Sequence, residues 1–278
     1  MTREIILAEN AGFCFGVSRA VNKAFELSDR DRKIYTLGEL IHNSDVVKKL
    51  NENNVYTLTE DEIKDLEEDD IILIRSHGIT KEMTEKLNEQ TRNVINLTCP
   101  YVTNIQQKVK EYHDKGYSII ILGDRNHPEV IGINGWTENS ALISDRGEID
   151  FEIPPRVCVV SQTTEKQENW VRLLCGISGS AKEIIAFNTI CKATELRQAS
   201  TEKLAKEVDA MIVIGGKHSS NTTKLHEICL KNNKNTYFAE NAEDLEKYVP
   251  ELKKYNKIGV TAGASTPQWI IEEALKLL

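Results

Sequence analysis

The chain has 278 residues, 28% charged and 40% apolar, with a formal net charge of −8. That length suits about two domains with cores of their own, so neither disulfides nor a structural metal is needed for size alone. The acidic balance excludes a broad basic surface, and with it nucleic acid or an anionic membrane as the main partner.

From the N-terminus, Met1–Asn10 carries Glu4 and Glu9 and lacks a secretory apolar region, so a cytoplasmic chain is expected. The longest aliphatic runs, Ile71–Ile74 and Ile119–Leu122, fall far short of the roughly 20 residues of a membrane-spanning helix. In a cytoplasmic setting the six cysteines are expected as thiols, metal ligands or catalysts. Apolar runs predict strands at Glu4–Leu7, Ile34–Leu37, Ile71–Ile74, Val94–Leu97, Ser118–Leu122, Val157–Val160, Glu183–Phe187, Ala210–Ile214 and Lys257–Val260. Helix-like charged stretches lie between them, at Lys81–Gln90, Gln106–Lys115, Leu196–Val208 and Thr222–Lys231. This alternation predicts an α/β fold with parallel sheets.

One unit recurs three times. In each copy a strand runs into a cysteine: Cys14, Cys99 and Cys191. A helical stretch follows, and then a strand that ends in Gly38, Gly123 or Gly215, each 24 residues past its cysteine. Four residues further on stand His42, His127 and Ser219, and a later strand ends in a small polar loop at Ser76-His77-Gly78, Ser161–Thr164 or Gly263–Thr266. The repeat divides the chain into units 14–98, 99–190 and 191–278, the last joined by an N-terminal strand within 1–13. Ligands of parallel sheets bind beyond the carboxyl ends of the strands. Three units packed with those ends inward would bring together Cys14, Cys99 and Cys191 with His42, His77, His127, Ser219 and Ser265.

Three thiolates can hold zinc with an open position, or an iron–sulfur cluster short of its fourth thiolate. No CxxC occurs, so a sequence-local ferredoxin site is absent. Cys158, Cys175 and Cys229 read as structural residues, and His113 and His226 as surface residues. The stretch Gly215–Thr222 follows a strand and opens a helix, where backbone N–H groups favour an anion. It matches no nucleotide motif. Protonated histidines and His42-Asn43 would add to such a pocket. In Asn126-His127-Pro128-Glu129-Val130, Glu129 reads either as a buried proton donor, with Thr163 or Thr164 as a relay, or as an ordinary acid in a first helical turn.

The motifs Ala-Gly-Phe-Cys14-Phe-Gly-Val, Gly-Glu-Leu-Ile-His42-Asn, Arg-Ser-His77-Gly, Thr-Cys99-Pro-Tyr-Val and Gly-Asp-Arg-Asn-His127-Pro-Glu129-Val stand in this order. They continue with Val-Ser-Gln-Thr163-Thr, Asn-Thr-Ile-Cys191, Gly-Gly-Lys-His-Ser219-Ser220-Asn221-Thr and Thr-Ala-Gly-Ala-Ser265-Thr-Pro. Across its whole length the chain thereby resembles the 4-hydroxy-3-methylbut-2-enyl diphosphate reductases of the methylerythritol phosphate isoprenoid pathway. The resemblance implies a pseudo-threefold trefoil of three small α/β units around a central 4Fe-4S cluster. Cys14, Cys99 and Cys191 would ligate that cluster and leave one iron open. His42, His77, Ser219, Ser220, Asn221 and Ser265 would hold the substrate diphosphate, with His127 nearby, and Glu129 would protonate the leaving hydroxyl with help from Thr163. A ferredoxin or flavodoxin electron donor is implied, since no flavin or nicotinamide motif is seen. Leu196 and His218 depart from the family pattern, which commonly has Asn at both places. Some members carry a fused ribosomal-type extension, which is not expected at this length. Two other readings of an open-iron site are a lyase of quinolinate-synthase type and a non-catalytic iron–sulfur redox sensor. A three-cysteine zinc hydrolase is a further one.

Overall fold

The structure, a computed structural model, describes residues 3–28 and 33–278. Residues 1–2 of the expected N-terminal segment and 29–32 of the expected first unit lie outside the described residues. The strands among the described residues are β1 (Glu4–Leu7), β2 (Ile34–Leu37), β3 (Val55–Leu58), β4 (Ile71–Ile74), β5 (Asn93–Asn96) and β6 (Ser118–Leu122), followed by β7 (Leu142–Ser144), β8 (Arg156–Ser161), β9 (Glu183–Ala186), β10 (Ala210–Ile214), β11 (Thr236–Ala239) and β12 (Lys257–Ala262). The α-helices are α1 (Phe15–Ser28), α2 (Ser44–Glu52), α3 (Lys81–Gln90), α4 (Pro100–Asp114), α5 (Pro128–Asn134) and α6 (Gln167–Ile177), then α7 (Lys192–Ala205), α8 (Ser220–Asn232), α9 (Ala242–Glu246), α10 (Val249–Leu252) and α11 (Gln268–Leu275).

The strands form three four-stranded parallel sheets, so the fold is α/β. All three share one order: β3-β2-β4-β5, β7-β6-β8-β9 and β11-β10-β12-β1. In the third sheet β1 takes the edge position that β5 and β9 hold in theirs, pairing Glu4 with Lys257 and Leu7 with Val260. The strand leading to each cysteine is therefore an edge strand. The helix after each cysteine begins at the next residue, at Phe15, Pro100 and Lys192.

The nine strands expected from the sequence are all present. The three it did not reveal, β3, β7 and β11, are the opposite edges. Their apolar runs are short or broken by polar residues, with Thr57 in β3, Ser144 in β7 and Thr236 in β11, whereas the edge strands β1 and β9 keep paired isoleucines. In β3 only Val55 is fully buried. Central strands show the reverse. Ile119, Ile121, Cys158 and Val160 pack on one face of the second sheet, and Ile120, Leu122, Val157 and Val159 on the other. Alternating side chains that are apolar on both faces give the unbroken runs read in the sequence.

The chain divides into two compact units. One comprises Met1–Ser18, Ile41–Val46 and Lys192–Leu278 and holds the third sheet; the other comprises Arg19–Leu40 and Val47–Cys191 and holds the first two. No helix among the described residues is long and apolar enough to cross a membrane.

Candidate functional site

The three cysteines follow one local rule. Each backbone N–H donates to a carbonyl in the late loop of its own sheet: Cys14 to Ala264 at 3.4 Å, Cys99 to Ser76 at 2.9 Å and Cys191 to Thr163 at 3.0 Å. Each such loop carries an expected site residue, Ser265, His77 or Thr163. Among the described residues none of the cysteines is in a disulfide, and these three are half-buried. Each immediately precedes a helix, where the positive end of the peptide dipoles favours a thiolate. Soft thiolates on separate segments are a donor set that fits iron or zinc.

The other cysteines differ. Burial pushes the thiols of Cys158, in β8, and Cys229, in α8, up to about 12, so both are inert core residues. Cys175, expected among the structural ones, is exposed on α6. His113 and His226, expected at the surface, are both half-buried. The His226 ring lies 4.9 Å from that of Phe238, and burial lowers its pKa.

In the unit holding the third sheet, the anion-binding candidates meet around tight backbone approaches. A Cβ on Gly216 would lie 2.7 Å from the His42 carbonyl oxygen, and one on Gly263 would lie 2.0 Å from Thr222 Oγ1. Only glycine lets these loops close. The Ser265 hydroxyl donates to the His42 carbonyl at 3.2 Å and to Ser219 Oγ at 3.3 Å. Ser219 is the N-cap of α8, Ser220 its first residue and Asn221 its second. Asn221 is 3% exposed, and neither its amide nitrogen nor its oxygen has a hydrogen-bond partner. An unsatisfied buried amide is costly, and here it stands in the first turn of a helix whose free N–H groups attract anions. Asn43, grouped with His42 in the sequence, accepts from Val46 N and caps α2 instead. Leu196 and His218, which depart from the family pattern, are both exposed.

In the other unit, α5 aims the acid. Pro128 at its first turn supplies no N–H that would need a partner. Glu129 sits in that turn, as the structural reading expected, but it is 2% exposed. Its Oε1 accepts from Thr163 N at 2.6 Å and its Oε2 from Thr163 Oγ1 at 2.7 Å. Thr164 Oγ1 accepts from Gln162 Nε2, while the Thr163 hydroxyl donates to the acid. His127 caps the helix: its Nδ1 accepts from Glu129 N at 3.1 Å. An accepting Nδ1 carries no proton, so this bond assigns a neutral ring that offers Nε2–H. The expectation of protonated histidines thus does not hold for His127. His77 stands edge-on to it, ring centroids 5.4 Å apart. Beside α5 lies a cavity of about 290 Å³ lined by Arg75, Leu58, Ile79, Met83, Pro128 and Ile131 among others, but by none of the expected site residues.

The family model for the LytB protein matches residues 5–278. The chain belongs to the LytB family. This LytB chain is 55% identical over 273 residues to the 4-hydroxy-3-methylbut-2-enyl diphosphate reductase of Clostridium tetani, covering 98% of itself and 43% of that protein. It therefore spans less than half of that longer relative. It is 53% identical over 277 residues to the reductase of the same name from Clostridium perfringens, covering 99% of itself and 98% of that protein. Among solved structures, (E)-4-hydroxy-3-methyl-but-2-enyl diphosphate reductase, described as the terminal enzyme of the non-mevalonate pathway, matches with a TM-score of 0.71 at 41% identity, covering 99% of each chain.

Sequence reasoning did not find the backbone carbonyls of Ser76, Thr163 and Ala264 that hold the cysteines, because a carbonyl has no sequence signature. It also passed over Arg19 and Arg197.

Proposed function

We propose that this chain is a 4-hydroxy-3-methylbut-2-enyl diphosphate reductase. Such an enzyme converts an allylic alcohol, two electrons and two protons into isopentenyl or dimethylallyl diphosphate and water, the last step of the methylerythritol phosphate pathway. The observation that carries the reading is Glu129, a buried acid gripped at both oxygens by Thr163 next to a histidine-capped turn. Removing a hydroxyl as water needs such a positioned donor.

Cys14, Cys99 and Cys191 would hold a 4Fe-4S cluster with one iron open, a reading that requires the three thiols to share one site. When bound, that cluster supplies electrons and a Lewis acid. The chain's residues do the rest. Ser219, Ser220, Asn221 and Ser265, with His42 and His77, bind the diphosphate. His127 offers its Nε2–H, and Thr163 holds the Glu129 carboxyl in one direction. Glu129 gives the proton that leaves with the hydroxyl. We assign the units 14–98, 99–190 and 191–278 to the three repeats, the cytoplasm as location, and a ferredoxin or flavodoxin as electron donor.

The test is anaerobic purification, counting of iron and sulfide, and assay of the hydroxylated allylic diphosphate with reduced viologen. Reductant-dependent release of the two products is expected. Turnover without reductant would instead indicate a lyase, and a loaded but inert protein a sensor.

A further inference from the structure

Two arginines occupy matching places. Arg19 stands on α1, five residues past Cys14, and Arg197 stands on α7, six residues past Cys191. Arg19 Nη2 donates to the carbonyls of Leu97 at 3.0 Å and Thr98 at 2.6 Å, the two residues before Cys99. Arg197 Nε donates to the Asn10 carbonyl and Nη2 to the Gly12 carbonyl, both at 2.8 Å, in the segment that enters Cys14. Each guanidinium thus grips two carbonyls just ahead of a cysteine.

Charge sharpens the case. Arg197 is 2% exposed. Arg19 is half-buried, pairs with no carboxylate among the described residues, and has a buried Nε without an acceptor. For Arg19, a half-buried guanidinium with an unsatisfied Nε and no carboxylate beside it is costly to keep. It belongs where a negative group is to be held. The third cysteine is held otherwise: Thr189 Oγ1 donates to Ser161 O at 2.6 Å and accepts from Ser161 N at 2.7 Å, and Ile190 N donates to Asn188 Oδ1 at 3.3 Å. Its approach is neutral.

We propose that Arg19 and Arg197 are positioning residues of the cysteine site. They fix the loops entering Cys99 and Cys14, and they supply fixed positive charge that favours thiolates and the more reduced, more negative state of the group those thiolates hold. The proposal rests on the cluster reading above. Lysine keeps the charge but cannot reproduce the Nε and Nη2 fork of Arg197, whereas glutamine keeps a donor and loses the charge.

The experiment compares the full chain with Arg19→Lys, Arg19→Gln, Arg197→Lys and Arg197→Gln, all purified anaerobically. Arg92→Gln is the control, because Arg92 is an exposed arginine paired with Glu68. Iron and sulfide per chain, melting temperature and a redox titration followed by electron paramagnetic resonance are read. The glutamine variants are expected to show a roughly tenfold lower ratio of reduced to oxidised cluster at a fixed potential, equivalent to about 59 mV for one electron. The lysine variants are expected to keep the wild-type potential within about twofold in that ratio, and Arg197→Lys to retain less iron. Glutamine variants that titrate like the wild type with full iron overturn the proposal alone. A wild-type chain that binds no iron overturns the cluster reading and this proposal with it. If the glutamine variants do not fold, Arg197→Lys decides: iron loss at an unchanged melting temperature supports the clamp, and full iron overturns it.

Discussion

The two groups of polar site residues are built on opposite principles. Around α8 the set is open at Asn221, buried with both ends of its amide unpartnered, while the Ser265 hydroxyl is shared between the His42 carbonyl and Ser219 Oγ, which also accepts from Thr222 N. Around α5 they are closed, with the Glu129 carboxyl bonded at both oxygens and His127 Nδ1 engaged by the backbone. An open set waits for a ligand to complete it. A closed set holds one group in one direction before any ligand arrives. The first arrangement suits binding and the second suits a timed proton transfer.

The largest expected effect lies in the closed group. Glu129→Gln keeps the shape and removes the proton, so turnover should fall by about 10²–10⁴, with substrate affinity measured by calorimetry nearly unchanged. Normal turnover would remove the assignment of the acid. In the open group the pattern should invert. Asn221→Ala should weaken substrate binding by roughly 10–100-fold, or about 1.4 kcal/mol per tenfold. Its melting temperature without substrate should not drop, since the amide makes no protein hydrogen bond to lose. A drop of several degrees would show the amide to be structural.

Smaller effects probe the scaffold. Gly263→Ala would place a methyl 2.0 Å from Thr222 Oγ1 and should cost about 1–3 kcal/mol of stability, read from denaturant midpoints. The smallest concerns His226, on α8 beyond the open group. Its pKa is lowered in the folded chain by burial. The unfolded chain therefore takes up a proton near pH ~6.5 that the folded chain does not. Stability should decline as pH falls through that value and level off below the folded pKa. His226→Gln should flatten the melting temperature between pH 5.5 and 7.5, and an unflattened profile would assign the titration elsewhere.

Much of this was legible in the chain itself. Equal spacings from Cys14, Cys99 and Cys191 to Gly38, Gly123 and Gly215 announced a repeated α/β unit, and the structure answers with three sheets of identical strand order. Central strands could be read because burial on both faces forces continuous apolar runs; β3, β7 and β11 could not, because their runs are short or broken by Thr57, Ser144 and Thr236. Glu129 was ambiguous for a physical reason. A glutamate after proline in a first turn looks the same whether it faces water or Thr163.

The amino-acid sequence by itself determined the fold class and the repeat, since these follow from periodicity and spacing along the chain, and its motifs named the candidate side chains. Tertiary structure alone decided how those side chains are used. It put Asn43 to capping, gave His127 a neutral ring, left Asn221 unpartnered and gripped Glu129 from Thr163. The physical reason is that hydrogen-bond direction and burial depend on neighbours distant in the chain, among them backbone carbonyls that no residue type encodes.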